Sequence, residues 1–202
     1  MNKIEIAPGI MVYSDVMDNY KDFIPDLEDA MQSQTQGLEW RPPYIVRDGE
    51  HVVDNHIRSL DTFGIDYEQS KALIDSPNTP FESFANILGN RFFIAFDPIE
   101  KDYQNHYRIT MESHDIYNIL RYGKGHFFTN HVDDSQAFHR RMSIVYYAND
   151  NYTGGEITFE RFGIEYKPKA NEAIIFPSTY VYNHSVKPVT DGTRYAVVSW
   201  LK

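Results

Sequence analysis

The sequence predicts an α+β protein: a double-stranded β-helix, or jelly roll, backed by helices from the N-terminal half. Three observations carry this. From Ile116 to Leu201 short apolar stretches alternate with turn residues, the pattern of seven or eight strands in a sandwich or barrel. Helix signals, by contrast, concentrate before residue 110. The run Met142 to Ala148 is apolar on both alternating faces, so that strand needs cover on its outer side as well, most simply from those helices. The 202 residues suit one domain, 1–202, with 1–110 as helix-rich support and 111–202 as the jelly-roll core.

In chain order, Ile4 to Tyr13 reads as a hairpin turning at Pro8-Gly9, and Asp18 to Gln34 as an amphipathic helix interrupted by Pro25. A second helix has a capping box: Thr79 as N-cap, Pro80 at the first helical position and Glu82 three residues after the cap. Apolar residues then recur through Phe84, Ile87, Leu88 and Phe92, and Pro98 is expected to end or kink the helix. Strands are expected at Ile116 to Tyr122, Phe127 to His131, Met142 to Ala148, Glu156 to Phe159, Ala173 to Phe176, Tyr180 to Val186 and Arg194 to Leu201. Between the third and fourth, Asn149 to Asn151 with Gly154 and Gly155 supply residues that accept positive φ.

Composition narrows the chemistry. A net charge of −10 argues against nucleic acid and anionic membrane as partners. With no cysteine, any metal must rest on the eight histidines, carboxylates or tyrosines. Glu5 interrupts the start where a signal peptide would be apolar, and runs such as Phe92 to Phe96 are too short to span a bilayer, so a soluble, cytoplasmic protein is expected.

The most informative stretch runs from Tyr122 to Asp133. Residues i and i+2 of a strand share a face, so His131 and Asp133 can address one ion, although His-x-Asp alone also fits a solvated loop. His184, 51 residues after Asp133, adds a third ligand, and its phase with Tyr180, Tyr182 and Val186 points it inward. Two imidazoles and a carboxylate are the facial triad that leaves positions open on iron(II). Ten residues after His184, Arg194 shares a strand face with Ala196, Val198 and Trp200. If that face is interior, its guanidinium needs an anion, for which a bound carboxylate is well shaped.

The order Tyr122-x-x-Gly-x-x-Phe-x-x-His-x-Asp133, Arg140-Arg-Met-Ser-Ile-Val-Tyr-Tyr-Ala-Asn149, Gly154-Gly-Glu, Phe176-Pro, His184 and Arg194 resembles the prolyl 4-hydroxylase branch of the iron(II)/2-oxoglutarate-dependent dioxygenases. The match covers Tyr117 to Trp200; before it the likeness is loose, in helices and in Val53-Asp-Asn-His-Ile-Arg58-Ser. The resemblance implies His131, Asp133 and His184 as iron ligands and Arg194 as partner of the distal 2-oxoglutarate carboxylate, with Tyr147 adding a hydroxyl there. It also implies Tyr122 on the co-substrate near the metal, Ile157 and Trp200 in the pocket wall, and Arg140 or its neighbour Arg141 on the substrate. Two positions depart from the pattern: Ala148 replaces the usual Leu, and Arg194 stands where collagen-type members carry Lys.

The implied reaction is hydroxylation of a C–H bond, on a prolyl residue of a peptide or protein, using Fe(2+), 2-oxoglutarate and O2 and releasing succinate and CO2, with ascorbate as an optional reductant. Rivals are the same chemistry on a free amino acid or small metabolite and a non-enzymatic jelly-roll binding protein. A halogenase would need the place of Asp133 vacated, and a nucleic-acid demethylase a second arginine where Trp200 stands. Acceptor selection is expected from Trp40 to Asn55 and the loop Asp134 to Phe138. The sequence is silent on oligomeric state.

Overall fold

A computed structural model describes residues 2–47, 50–66, 79–112, 115–135 and 139–202. The expected hairpin forms first: β1 (Asn2–Ala7) and β2 (Ile10–Ser14) turn at Gly9, whose φ of 80° suits glycine. Helix α1 (Tyr20–Gln32) follows, then the short hairpin β3 (Ile45–Arg47) and β4 (Glu50–Val52), then β5 (Arg58–Ser59) and β6 (Asp61–Asp66). Helix α2 (Pro80–Tyr107) leads to β7 (Ile116–Tyr122), β8 (Phe127–His131) and β9 (Met142–Tyr147). After them come β10 (Thr153–Gly154), β11 (Ile157–Phe159), β12 (Ile164–Tyr166) and β13 (Glu172–Pro177). The chain closes with β14 (His184–Val186), β15 (Val189–Asp191) and β16 (Arg194–Leu201).

The strands form a seven-stranded sheet in the order β1-β2-β13-β9-β16-β7-β6 and a five-stranded sheet in the order β12-β11-β14-β8-β5, and the pairings within them are antiparallel. Between the sheets lies one apolar layer, with Val145, Tyr147, Ala196 and Val198 from the large sheet and Ile157, Phe159 and Val186 from the small one. On the other face of the large sheet, Ile119, Tyr146 and Val197 join Phe23, Leu27, Leu88, Phe92 and Phe96 of the two helices in a second cluster. Phe92 sits 5.3 Å from Tyr117 and Phe96 6.2 Å from Tyr146, centroid to centroid. Alternate residues of the central strands β9 and β16 therefore enter different apolar layers, which is why β9 is apolar on both faces.

The capping box of α2 is present: Glu82 N–H donates to Thr79 Oγ1 at 3.1 Å, and Thr79 N–H to Glu82 Oε2 at 2.9 Å. Other expectations fail for physical reasons. Of the two outcomes expected at Pro98, a helix end is not found, since α2 continues to Tyr107; the proline is exposed, and the Ile94 carbonyl it leaves without a helical donor belongs to a residue 71% exposed, where water can serve it. Ile87 lies on that outer side too and does not join the core. The expected strand Tyr180 to Val186 is a 3-10 turn, Tyr180–Tyr182, followed by the three residues of β14, so Tyr180 and Tyr182 carry no inward phase. Among the described residues the N-terminal segment also holds six strands beside two helices, of which β1, β2 and β6 extend the large sheet and β5 the small one. No helix among the described residues is long and apolar enough to cross a membrane.

Candidate metal and co-substrate site

β8 and β14 are neighbours in the small sheet, and their register places His184 opposite His131. Asp133 follows two residues after the end of β8. One ligating atom from each of His131, Asp133 and His184 lies within 4.8 Å of the others. His131 Nε2 is 3.5 Å from Asp133 Oδ1, and His184 Nε2 is 3.7 Å from Asp133 Oδ2. The other ring nitrogens are engaged: His131 Nδ1 meets the Thr129 carbonyl at 2.9 Å and His184 Nδ1 the Tyr182 carbonyl at 3.1 Å. With Nδ1–H donating to a carbonyl, each Nε2 is left with its lone pair toward the shared centre.

Protonation agrees with metal binding. Burial, reinforced by His131 and opposed by Asp133, pulls His184 down to about 4, so its imidazole is neutral near pH 7. Burial would raise the Asp133 carboxyl, but His184, His131 and the Ser143 hydroxyl together hold it well below the usual carboxylate range. Ser143 Oγ donates to Asp133 Oδ2 at 2.6 Å and contacts Ser178 Oγ at 2.8 Å. A residue that aims the Asp133 carboxylate was thus missed in the sequence. Its signal was present: Ser143 is a buried hydroxyl on the same strand face as Val145 and Tyr147.

The triad opens into a cavity of about 510 Å³ between the sheets, walled also by Tyr122, Ile157, Arg194, Trp200 and Arg140. Arg194 is 1% exposed, and its Nε and Nη1 are buried without a hydrogen-bond partner. Its guanidinium carbon stands 4.6 Å from the Tyr122 ring centroid and 5.0 Å from that of Tyr147. Tyr147 is not part of the cavity wall; it lies behind the arginine, with its own hydroxyl buried and unpartnered. Tyr152, which the sequence reading passed over, has a second such hydroxyl: a Cβ built on Gly155 would touch both Tyr152 and Arg194, at 3.0 and 3.1 Å.

At the substrate side the two adjacent arginines separate. Arg140 Nε and Nη2 both donate to Asp115 Oδ2, at 3.2 and 3.1 Å, and its guanidinium lies 3.4 Å over the Trp200 ring. Arg141 is outside this cavity and donates to the Thr110 carbonyl at 2.8 Å. In the expected acceptor segment, Tyr44 and Ile45 line the cavity. Trp40 instead packs against the helix-side cluster, beneath Arg121 at 4.4 Å. Positions 48–49 of that segment and 136–138 of the expected loop lie outside the described residues.

Fold and site together define an antiparallel jelly-roll protein with a His-Asp-His centre beside a buried arginine. Residues 117–202 match the profile of the 2OG-Fe(II) oxygenase superfamily. The chain is 35% identical over 98 residues to a PKHD-type hydroxylase of Rippkaea orientalis, covering 43% of each chain. It is 36% identical over 85 residues to one of Prochlorococcus marinus, covering 39% of this chain and 38% of the relative. The chain thus spans about two-fifths of the length of these curated relatives. A prolyl-4-hydroxylase of Pseudomonas putida has the same fold, with a TM-score of 0.69 at 18% identity over 96% of this chain and 92% of that one. So does a Trichoplax adhaerens prolyl hydroxylase crystallised with a hypoxia inducible factor peptide, at 0.67 and 16% identity over 96% and 83%. The chain therefore resembles the 2OG-Fe(II) oxygenases of the prolyl 4-hydroxylase type, by sequence over its C-terminal part and by fold over nearly all of it.

Proposed function

We propose that the protein is an iron(II)- and 2-oxoglutarate-dependent oxygenase that hydroxylates a prolyl residue of a peptide or protein, with release of succinate and CO2. One observation carries the reading: a buried guanidinium with unpartnered nitrogens shares a cavity with two imidazole donors and a carboxylate. The donor set fits iron(II), since two nitrogens and one oxygen occupy one face and leave the other to co-substrate and oxygen. The unpartnered nitrogens of Arg194 fit the distal carboxylate of 2-oxoglutarate. When bound, iron with 2-oxoglutarate supplies the activation of O2 that the side chains cannot perform.

The chain's own residues hold and orient. His131, Asp133 and His184 would be the ligands, the Thr129 and Tyr182 carbonyls fix the imidazole orientation, and Ser143 fixes the carboxylate. Arg194 would anchor the co-substrate, with Tyr122 beside it and Tyr147 behind it. Trp200, Ile157, Val145 and Val198 make a largely apolar wall that excludes water from the acceptor C–H. Arg140, held by Asp115 over the Trp200 ring, would face the acceptor.

The test is oxygen-dependent conversion of 2-oxoglutarate to succinate, matched by a +16 Da product on a panel of proline-containing peptides. Stoichiometric succinate and hydroxyproline are expected. Turnover of a free amino acid with none on any peptide would move the acceptor to the small-metabolite alternative. No turnover of 2-oxoglutarate under any condition would leave a binding protein.

A further inference from the structure

The cavity holds a third guanidinium, which the reaction above does not use. Arg58 lies in β5, paired in register with Phe128 of β8, and lines the same cavity. Its guanidinium carbon sits 4.8 Å from the Phe128 ring centroid, and Phe128 stacks on the His131 imidazole at 3.6 Å and 14°. Arg58 is therefore two stacking distances from a metal ligand. Among the described residues its only hydrogen bond is a long one, from Nη1 to the Tyr44 carbonyl at 3.4 Å, and its buried Nε has no partner there. Arg140 across the cavity has the Asp115 carboxylate; Arg58 has none, although the chain carries 29 Asp and Glu against 19 Lys and Arg. Arg58 is half-buried with its Nε out of reach of water, a placement that is costly without an anion, and a planar carboxylate matches its fork.

We propose that Arg58 is a specificity residue for an acceptor that carries a carboxylate a few bonds from the carbon to be hydroxylated. This rests on the oxygenase reading of the site and narrows its acceptor. Such a carboxylate comes from a chain terminus, from a free amino acid or from an acidic neighbouring side chain. Arg194 keeps the co-substrate carboxylate, and the anion on Arg58 is the acceptor's own. The Arg58–Phe128–His131 stack fixes the distance between that anion and the metal, so acceptors of one length are favoured.

The experiment uses the full chain loaded with Mn(II) and 2-oxoglutarate without oxygen, and titrates acid and amide pairs by calorimetry: N-acetylproline with N-acetylprolinamide, acetyl-Pro-Glu-amide with acetyl-Pro-Gln-amide, and N-acetylalanine with N-acetylalaninamide. Free L-proline is the fourth probe. Binding of Mn(II) and 2-oxoglutarate is measured first, and its absence marks failure of the oxygenase reading itself. The acid of at least one pair is expected to bind about 10- to 100-fold more tightly than its amide, as for one charge-assisted pairing. Arg58→Met is expected to abolish that preference and Arg58→Lys to restore part of it, with melting curves showing that both variants fold. A preference confined to the first pair and L-proline assigns a terminal or free carboxylate, and one confined to the glutamate pair a side chain. An equal preference in the alanine pair keeps the carboxylate and removes proline. Acids and amides that bind alike, or no binding by any probe to the loaded protein, overturn the proposal, as does a preference that survives Arg58→Met.

Discussion

Replacing Arg194 with Met separates the cost of an unliganded binding site from its benefit. In the free protein Arg194 is 1% exposed with two nitrogens buried and unpartnered. Each such group costs about 1–3 kcal/mol. The Tyr122 and Tyr147 rings at 4.6 and 5.0 Å return part of it, about 0.5–2 kcal/mol each as cation–π contacts. Met keeps an apolar stem in the space beside Gly155 and removes the charge. The variant without ligand is therefore expected to melt no lower than the wild type and up to several degrees higher, at about 2–4 °C per kcal/mol for a chain of this size. The opposite holds for co-substrate: loss of a buried charge-assisted pair costs about 2–5 kcal/mol, or roughly 30- to 4,000-fold in dissociation constant. Tyr147→Phe removes one neutral hydroxyl and is expected to cost about 0.5–1.5 kcal/mol. Calorimetry with Mn(II)-loaded protein under nitrogen, paired with melting curves with and without 2-oxoglutarate, reads both effects. Unchanged 2-oxoglutarate binding in Arg194→Met, or a smaller loss there than in Tyr147→Phe, refutes the assignment of the distal carboxylate.

Asp133→Ala is expected to abolish Mn(II) binding with the fold intact by circular dichroism, whereas Ser143→Ala, which frees the carboxylate to rotate, weakens it about 10- to 100-fold; equal affinity in Ser143→Ala and wild type removes the positioning role. In the metal-free protein, His184 held at about 4 against an ordinary 6.5 means that the unfolded chain binds the extra proton in that window. Stability is thus fully present above about pH 6.5 and falls toward pH 4, by on the order of 3 kcal/mol from this group. Urea unfolding in chelator at pH 7 and pH 4.5 checks it, and His184→Asn with the same pH slope as wild type counts against it. Thr79→Ala removes the side-chain half of the α2 capping box, the Thr79 Oγ1 that accepts from Glu82 N–H, and is expected to lower stability by about 0.5–2 kcal/mol in urea, without changing 2-oxoglutarate affinity.

What the sequence could and could not reveal divides along contact range. β7, β8 and β16 fall on the expected residues, since each is a run of strand-forming side chains bounded by its own turn or helix signals. The triad was legible because one pair is local, His131 and Asp133, and because the burial of His184 and Arg194 follows from residues nearby on their strands. The reason given for His184 was only half sound: Val186 shares its buried side, but Tyr180 points to solvent from a 3-10 turn. β5 has two residues and β10 two, too few for any periodicity, and they exist through partners 70 and 38 positions away, Arg58 with Phe128 and Thr153 with Asp191. Pro98 does not end α2 because its side of the helix faces water, which the sequence does not show. Trp40 misled because an aromatic beside prolines fits a binding rim and a core equally well, and its place beneath Arg121 is set by a contact 81 residues away.

The two uncompensated arginines share one physical logic. A chain with a net charge of −10 has carboxylates to spare, yet among its described residues neither Arg58 nor Arg194 takes one. Arg121 and Arg140, both more exposed than Arg194, do: they bind Asp61 and Asp115. Arg121 packs over Trp40 on the helix side of the large sheet, while Arg140 and its partner Asp115 line the same cavity that Arg58 and Arg194 share with the His-Asp-His cluster. An internal carboxylate at either place would satisfy the guanidinium permanently and compete with a ligand. Leaving both without one keeps the free protein less stable than it need be and reserves each fork for an incoming anion. A double variant, Arg58→Met with Arg194→Met, is accordingly expected to be the most heat-resistant form of the metal-free protein, with the two gains adding because no shared hydrogen bond links the sites. Melting below either single variant would mean that the two guanidinium groups support the fold, and the argument from uncompensated charge would fail for both.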